Sequence, residues 1–170
     1  IIGYSTRYRR GKLINFKNYF VIYFDKPFAY NKTIGETGDL LDSLEITNSH
    51  ALAVLGFKTA KGEKVHCRVA SSFISFEQAE QNLKELGATR SFDAVKAEAK
   101  AKWEKALNAI QVEGASDEQL RTFYSCLYRT VMFPNKLYEV DANNRIVHYS
   151  PYNGQVLPGY MFGGTGFWDT

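Results

Sequence analysis

The sequence predicts an α+β, multidomain fold in which antiparallel strands come first and helices follow. Runs of β-branched and aromatic residues dominate the chain up to about residue 75. From Ser75 onward, apolar residues recur at the three- and four-residue spacing of amphipathic helices. Because strands and helices occupy separate stretches and do not alternate, we expect separate layers or domains and no βαβ units.

The composition is that of a globular protein. The 170 residues are 45% hydrophobic and 23% charged, which excludes a disordered tail. The net charge is only +3, and the short basic cluster at 7–12 is interpreted as a solvated loop, so we predict no nucleic-acid partner. No apolar run approaches the roughly 20 residues of a membrane span. The chain begins without Met inside a strand-like run, so we expect a piece of a larger protein.

The cysteines Cys67 and Cys126 have no cysteine or histidine partner at a metal-ligand spacing. Both lie in stretches that contain apolar residues, and we therefore predict buried free thiols. This pattern indicates no disulfide framework, which does not exclude an exported protein.

Strands are predicted in the first third of the chain because β-branched and aromatic residues cluster there. The runs lie at 12–16, 19–24 and 51–57, and Pro27 ends the second of them. The polar, glycine-containing stretch 31–42 is interpreted as a loop.

Strand–turn–strand patterns occur twice more. After a hairpin-turn signal at 60–63, residues 65–69 alternate with period two, which predicts a strand. In the second pattern, over 137–149, a polar turn at 141–144 separates two short strands. The rest of the chain as far as Thr170 is predicted to be loop.

Three helices are predicted between the two groups of strands, and their starts are the clearest local signals. Ser75 with Gln78, and Ser116 with Gln119, have the spacing of capping boxes, in which each side chain bonds the other residue's backbone N–H. Ser91 begins the middle helix.

The predicted helix ends rest on glycine and proline. Gly87 closes the first helix, Gly114 the second, and the third stops before Pro134. Glu98 and Lys102 are expected to form an i,i+4 ion pair on the solvent side of the middle helix.

The stretch 156–170 is the main functional candidate, because it places glycines beside Trp168 and Asp169. The apolar C–H face of a sugar ring stacks on an indole, and the hydroxyls of the sugar donate to a carboxylate. Glycines let the backbone approach a ligand closely. We predict that Trp168 and Asp169 bind a sugar; a carboxylate at the start of a helix is the alternative for Asp169.

Glu139 and Asp141 are the other candidate acids, since glycoside hydrolysis needs two carboxylates flanking the scissile bond. Both alternate with apolar neighbours beside a turn, and we interpret them as solvated hairpin residues. His66 and His148 are single histidines in strand-like stretches and are interpreted as structural or surface residues.

Several segments resemble the glycoside hydrolase family 92 α-mannosidases. Residues 123–130, FYSCLYRT, are similar to the FYTALYRT helix of that family, and residues 166–170 to its GFWDT segment. The stretch 71–83 resembles the family's SfvSxeqAxxNL pattern, and Trp103 falls where the family has a tryptophan.

The resemblance implies three parts: the end of an antiparallel β-sandwich domain over 1–75, a helical linker over 76–115, and the start of a catalytic (α/α)6 toroid over 116–170. It also implies a calcium-dependent, exo-acting enzyme that releases mannose from mannose-containing glycans with inversion, acting on α-1,2 linkages in particular. Members of the family are typically exported, by bacteria that use glycans. Trp168 and Asp169 would line the sugar-binding subsite.

No position of this chain matches the family's catalytic acid, its catalytic base or most of its calcium ligands. The resemblance therefore supplies binding residues but no catalytic residue and no metal ligand, and the chain alone is expected to be inactive without the rest of the same polypeptide. Cys126 stands where the family has a small residue. Two alternatives stay open: a non-catalytic carbohydrate-binding β-sandwich module, and a related (α/α)6 glucosidase or phosphorylase.

Overall fold

The computed structural model describes residues 1–8, 11–87 and 90–164. The helices are α1 Phe76–Glu85, α2 Phe92–Leu107 and α3 Asp117–Thr130. The strands are β1 Ile2–Ser5, β2 Asn18–Phe24, β3 Tyr30–Ile34, β4 Leu40–Leu41, β5 Leu52–Gly56, β6 Cys67–Ser72, β7 Asn135–Lys136, β8 Tyr138–Val140, β9 Ile146–Tyr149, β10 Val156–Pro158 and β11 Phe162–Gly163. Strand orders are β1-β2-β6, β4-β3-β5, β10-β9-β8 and β11-β7.

The chain divides into two compact units. The first unit is Ile1 with Ile22–Val69, and the second unit is Ile2–Val21 with Ala70–Thr170. Every strand pair whose register is defined is antiparallel, and this confirms the mixed α and β character and the antiparallel sheets that the sequence predicts. The domain boundaries and the toroid stay predictions.

In the first unit, β3 lies between β4 and β5 in an antiparallel sheet. The prediction of a loop over 31–42 therefore holds at 35–39 but is wrong at β3 and β4: Thr33 pairs with Leu41 on one side and with Ala53 on the other. Pairing on both edges keeps this polar segment extended, because strand formation depends more on neighbouring strands than on intrinsic propensity.

The predicted turn at 60–63 is confirmed, but the expected hairpin around it is wrong. The N–H of Glu63 donates to the carbonyl of Ala60 at 3.1 Å, and Gly62 has a φ of 83°. The strands on either side, β5 and β6, belong to different sheets, so the turn redirects the chain between sheets.

The predicted strand at 12–16 is wrong as well. Asn15 takes a left-handed φ of 53° and turns the chain, which a strand does not allow. The carbonyl of Ile14 accepts a hydrogen bond from the hydroxyl of Tyr149 at 2.6 Å, in place of a strand partner. The predicted strand at 19–24 is confirmed as β2, and β1 pairs with it from Ile2↔Val21 to Ser5↔Asn18.

All three predicted helices form, each with its predicted serine cap. Only Ser116 makes the complete capping box with Gln119; the side chain of Ser75 accepts from the N–H of Gln78, but the side chain of Gln78 bonds elsewhere. The α2 helix ends at Leu107 rather than near Gly114.

The expected end of α3 before the proline and the ion pair on α2 are confirmed. The α3 helix ends at Thr130, and the Glu98–Lys102 pair has an N–O distance of 2.7 Å. The two helices touch through the rings of Trp103 and Tyr128, whose centroids are 4.5 Å apart. No residue of α2 or α3 is fully buried.

The strands β8 and β9 form the predicted hairpin around 141–144, with Val140 opposite Ile146. The prediction of loop beyond it is wrong at two places, where β10 pairs with β9 and β11 pairs with β7. Among the described residues, the buried hydrophobic side chains are Val21, Ala79 and Tyr149. No helix in the described part of the chain is long and apolar enough to cross a membrane.

Candidate functional site

The side chain of Glu139 is the centre of a hydrogen-bonded cluster in the second unit. Strand β8 presents this half-buried carboxylate to the end of β6 and to α1. One carboxylate oxygen, Oε1, accepts from the hydroxyl of Ser72 and from the N–H of Phe73, both at 3.0 Å. The other oxygen, Oε2, accepts from the amide of Asn82 at 2.7 Å. Three segments distant in sequence therefore meet at one side chain.

Two amide side chains on α1 fix this arrangement. Asn82 also donates to the carbonyl of Ser71 at 2.9 Å, and its own Oδ1 accepts from Gln78 at 3.0 Å. Gln78, which is 6% exposed, donates further to the carbonyl of Val140 at 2.7 Å. Because each end of the Asn82 amide is engaged, the amide cannot turn over without losing several hydrogen bonds.

A cleft of about 320 Å³ opens beside this cluster. Its walls come from the end of β6, from α1 and from the segment that contains β7 and β8. The lining residues are Ser71, Ser72, Phe73, Asn82, Glu85, Lys136, Leu137, Tyr138, Glu139 and Val140. The volume is within the usual range for small-molecule sites, and the lining combines two aromatic residues with amide, carboxylate and ammonium groups.

The interpretation of Glu139 as a solvated hairpin residue is wrong. Its Oε1 atom accepts hydrogen bonds from the hydroxyl of Ser72 and the N–H of Phe73. This oxygen is therefore not free to protonate a substrate. The sequence carried a partial signal, since Gln78 and Asn82 lie beside the apolar stripe of α1. Nothing local in the sequence pairs them with Glu139.

Asp141 is a turn residue. Its Oδ1 accepts from the N–H groups of Asn143 and Arg145, and its Oδ2 lies 2.7 Å from Nη2 of Arg145. Hydrogen bonds from the backbone and then the side chain of Arg145 hold the pKa of Asp141 below its usual value. A carboxylate kept ionised in this way is unsuited to act as a general acid.

Trp168 and Asp169, the predicted sugar-binding residues, lie outside the described residues. The last described strand of the chain, β11, pairs with β7 through Phe162↔Lys136 and Gly163↔Asn135. Leu137 fills the space where a Cβ on Gly163 would stand.

The histidines and cysteines are not gathered into a site within the described ranges. Nδ1 of His148 lies 2.9 Å from the carbonyl of Gly159, and Nδ1 of His66 lies 2.6 Å from Asp25. Both contacts are structural, as expected. Cys67 and Cys126 are free, but the prediction of burial is wrong because both are exposed.

No group of three or more His, Cys, Asp or Glu side chains that could hold a metal ion occurs among residues 1–8, 11–87 and 90–164. Three of the described carboxylates are instead engaged by donors of the protein: Glu139 by Asn82, Asp141 by Arg145 and Glu98 by Lys102. These residues therefore do not by themselves fit a calcium site, which needs six to eight oxygen ligands.

Comparisons with a protein-family model and with solved structures identify the same family. The glycosyl hydrolase family 92 catalytic domain matches residues 78–170. The structure is similar to that of the family GH92 inverting mannosidase from Bacteroides thetaiotaomicron VPI-5482, with a TM-score of 0.88 and 40% identity, covering 95% of this chain and 22% of that chain.

Two further likenesses extend this result. An α-mannosidase of family GH92 from Bacteroides thetaiotaomicron has a TM-score of 0.68 and 20% identity, covering 86% of this chain and 20% of that chain, and so shares the fold. A protein of Arthroderma benhamiae named an uncharacterized secreted glycosidase is 37% identical over 75 residues, or 42% of this chain and 10% of that protein. The chain thus spans less than a quarter of the length of each of these proteins.

Proposed function

The chain belongs to glycosyl hydrolase family 92, and on this premise we propose that the full-length protein is an exo-acting α-mannosidase. It removes terminal α-mannosyl residues, in α-1,2 linkage in particular, from mannose-containing glycans and inverts the configuration of the released sugar. The similarity to an inverting mannosidase over nearly the whole of this chain is the observation that carries the proposal. Neither a non-catalytic binding module nor a related glucosidase or phosphorylase is favoured by the family match.

Trp168 and Asp169 are proposed to hold the terminal mannose. The indole stacks on the C–H face of the ring, and the carboxylate accepts hydrogen bonds from ring hydroxyls. The fixed strands β7 and β11 lead the chain into this segment.

The reaction itself needs a general acid and a general base about 6.5–9.5 Å apart, so that a water fits between the base and the anomeric carbon. We assign neither role to a residue of this chain. Glu139 is held by three donors and Asp141 is held ionised by Arg145, so both carboxylates serve the local structure. The acid and the base are proposed to come from the rest of the same polypeptide.

Calcium is proposed as the metal on the family resemblance alone, with its ligands outside the described residues. Calcium would polarise and orient sugar oxygens when bound. Because the described residues do not fit the ion by themselves, we derive no step of the reaction through it.

The architecture in its finer detail is also a proposal. The β-rich part is assigned to a β-sandwich over 1–75, the middle to a helical linker over 76–115, and α3 with the following segment, 116–170, to the first part of a catalytic (α/α)6 toroid. Export from the cell, with a bacterial source, completes the proposal. The Arthroderma benhamiae relative, which is named as secreted, supports the export.

The test uses the full-length protein and mannobioses of defined linkage, with the anomer of the released mannose followed by proton NMR. We expect turnover of the α-1,2-linked disaccharide, with β-mannose appearing first. Trp168→Ala should lower kcat/KM by about tenfold or more, because the stacking face is lost.

The matched control is the chain's other tryptophan, since the sequence contains only two. Trp103→Phe keeps a ring against Tyr128 and should leave kcat/KM close to that of the wild type. Release of α-mannose first, or the absence of turnover on every mannoside tried, contradicts the proposed function.

A further inference from the structure

Two aromatic rings stand exposed on the segment around β11. Tyr160 and Phe162 are 64% and 55% exposed, although both are large and mostly apolar. Their planes lie within 10° of each other, and their centroids are 6.4 Å apart. Near-parallel exposed rings separated by one residue form a small apolar face that is open to solvent.

This face has a rigid base. The ring of Tyr138 meets Tyr160 edge-on at 4.8 Å and meets Phe162 at 5.5 Å, so one half-buried ring supports both exposed ones. The ammonium group of Lys136 lies 4.6 Å above the ring of Tyr138, and Lys136 pairs with Phe162 across the two strands. The rings are therefore oriented before any ligand arrives.

The aromatic face continues into the cleft at Glu139. Tyr138 and Lys136 support the rings and also line that cleft. Further in, the cleft offers two acceptor atoms that each accept one hydrogen bond and so keep acceptor capacity, Oδ1 of Asn82 and Oε2 of Glu139. The continuous surface thus passes from aromatic faces to groups that accept and donate hydrogen bonds.

The chemistry of this surface selects a class of ligand. Two carboxylates, Glu85 and Glu139, outnumber the one ammonium group of Lys136 in the lining, so an anion such as a phosphate is disfavoured. A purely apolar ligand would bury the polar groups of the cleft without partners, which is costly. A pyranose fits both parts, because its C–H face stacks on a ring while its hydroxyls donate to the amide and carboxylate oxygens and accept from the ammonium group of Lys136.

We propose that Tyr160 and Phe162, together with the cleft beside Tyr138, form a second carbohydrate-binding site for glycan residues beyond the terminal one that is cleaved. An open face accommodates a sugar whose chain continues on either side. The terminal sugar on which an exo-acting enzyme acts is instead bound in an enclosed site. This inference depends on the proposed function in one respect only, the identification of the ligand as a glycan. The site acts in substrate binding, and it takes no part in bond cleavage.

The experiment compares a long and a short substrate in the full-length protein. For wild type and for the double variant Tyr160→Ala/Phe162→Ala, kcat/KM is measured on an α-mannohexaose and on the corresponding disaccharide. The expected result is a fall of about three- to tenfold in the ratio of the two values, since each lost stacking contact weakens binding by a few-fold. Tyr152→Ala, which removes a ring that is 87% exposed on another segment, is the control and should leave the ratio unchanged.

The variant Tyr160→Leu/Phe162→Leu keeps apolar bulk, and it gives a folded protein if the alanine pair does not fold. An unchanged ratio in folded variants overturns the inference. A thermal midpoint lowered by many degrees with an unchanged ratio also overturns it, because another segment of the polypeptide then covers the rings.

If the wild type hydrolyses neither substrate, the proposed function fails. Calorimetric titration of α-mannohexaose into the wild type and the variants then tests the binding site separately. Weaker binding to the leucine pair supports the site, and equal binding overturns it.

Discussion

Each of the two units contains a carboxylate that ties a strand to a segment far away in sequence, but the two carboxylates have different partners. In the second unit, Glu139 is half-buried and accepts from neutral donors 57, 66 and 67 positions away. In the first unit, Asp25 accepts from the N–H and the ring of His66, 41 positions away, and the side chains are 37% and 56% exposed.

The two carboxylates therefore stabilise their units in different ways. At Glu139, removing the carboxylate leaves the buried hydroxyl of Ser72 and the half-buried donors of Phe73 and Asn82 without their acceptor, and an unpaired buried donor is costly. At Asp25, water can replace the lost acceptor, so its removal costs less. The Asp25 contact, however, depends on the ionised carboxylate and is therefore sensitive to acid. We therefore expect the stability of the second unit to be most sensitive to substitution of Glu139. We expect the stability of the first unit to be sensitive to acidification, through Asp25.

The largest effect is expected for Glu139→Ala in the full-length protein. Ser72, Phe73 and Asn82 lose their common acceptor, and we expect the local free energy of opening to fall by about 2–3 kcal/mol. Hydrogen exchange followed by mass spectrometry on peptides spanning 70–86 measures this change.

Glu139→Gln sharpens the result. The amide oxygen can still accept from Ser72 and Phe73, but the amide nitrogen then faces the donor of Asn82, which cannot turn over because Gln78 and Ser71 hold it. We expect a loss of about half that of the alanine variant. Equal protection of the 70–86 peptides in the wild type and both variants would show that the hydrogen bonds of Glu139 do not stabilise this part of the unit.

The next effect is smaller and tests the link from α1 to β8. Gln78→Met keeps the length and apolar stem of the side chain but removes the donor to Val140 and to Asn82, and we expect a loss of about 1–2 kcal/mol. Exchange in the peptides over 138–149 reports the loosened strand. Gln81→Met, the same substitution on the same helix, is the control, and an equal loss there would show that helix propensity, rather than the link to β8, is responsible.

Local chemistry explains which parts of this fold the sequence predicts. The serine caps at Ser75, Ser91 and Ser116 were predictable because a cap needs only its own next three residues. The hairpin of β8 and β9 was predictable for the same reason, since the turn residues lie between the two strands.

Contacts over long sequence distances account for the errors. The predicted strand at 12–16 is a turn whose Ile14 carbonyl bonds to Tyr149, 135 positions away. Past the end of α2, the carbonyl of Ile110 accepts from the hydroxyl of Tyr124 on α3. The role of Glu139 depends in the same way on partners that no local pattern identifies.

For the proposed function, the sequence gives more than the described structure does. The motif at 166–170 and the helix at 123–130 carry the family resemblance, and the family match includes both. The aromatic pair Tyr160 and Phe162, in contrast, becomes visible as a face only once β11 is paired with β7 and Tyr138 lies beneath the rings.

The smallest effect at neutral pH is expected for Asp25→Asn, and its dependence on pH is the informative part. Hydrogen bonds from the N–H and then the ring of His66 hold the pKa of Asp25 below its usual value of 3.8. A carboxyl whose pKa is lowered on folding stabilises the fold above its unfolded pKa and loses that contribution as the pH falls through the folded one. The wild type should thus be the better protected at pH 7, and the difference should shrink below about pH 4.

Exchange in peptides spanning 20–26 and 64–70, corrected for the intrinsic pH dependence of exchange, measures this difference between wild type and variant. The neighbouring charges, Lys26 and Glu63, are present in both proteins, but the carboxylate of Asp25 acts on the pKa of Glu63 only in the wild type. Asp39→Asn, at an exposed carboxylate of the same unit, should show no such difference at any pH. If the gap between wild type and Asp25→Asn persists undiminished down to the lowest pH at which both proteins stay folded, the contact does not depend on the charge of Asp25, and the contrast between the two units is lost.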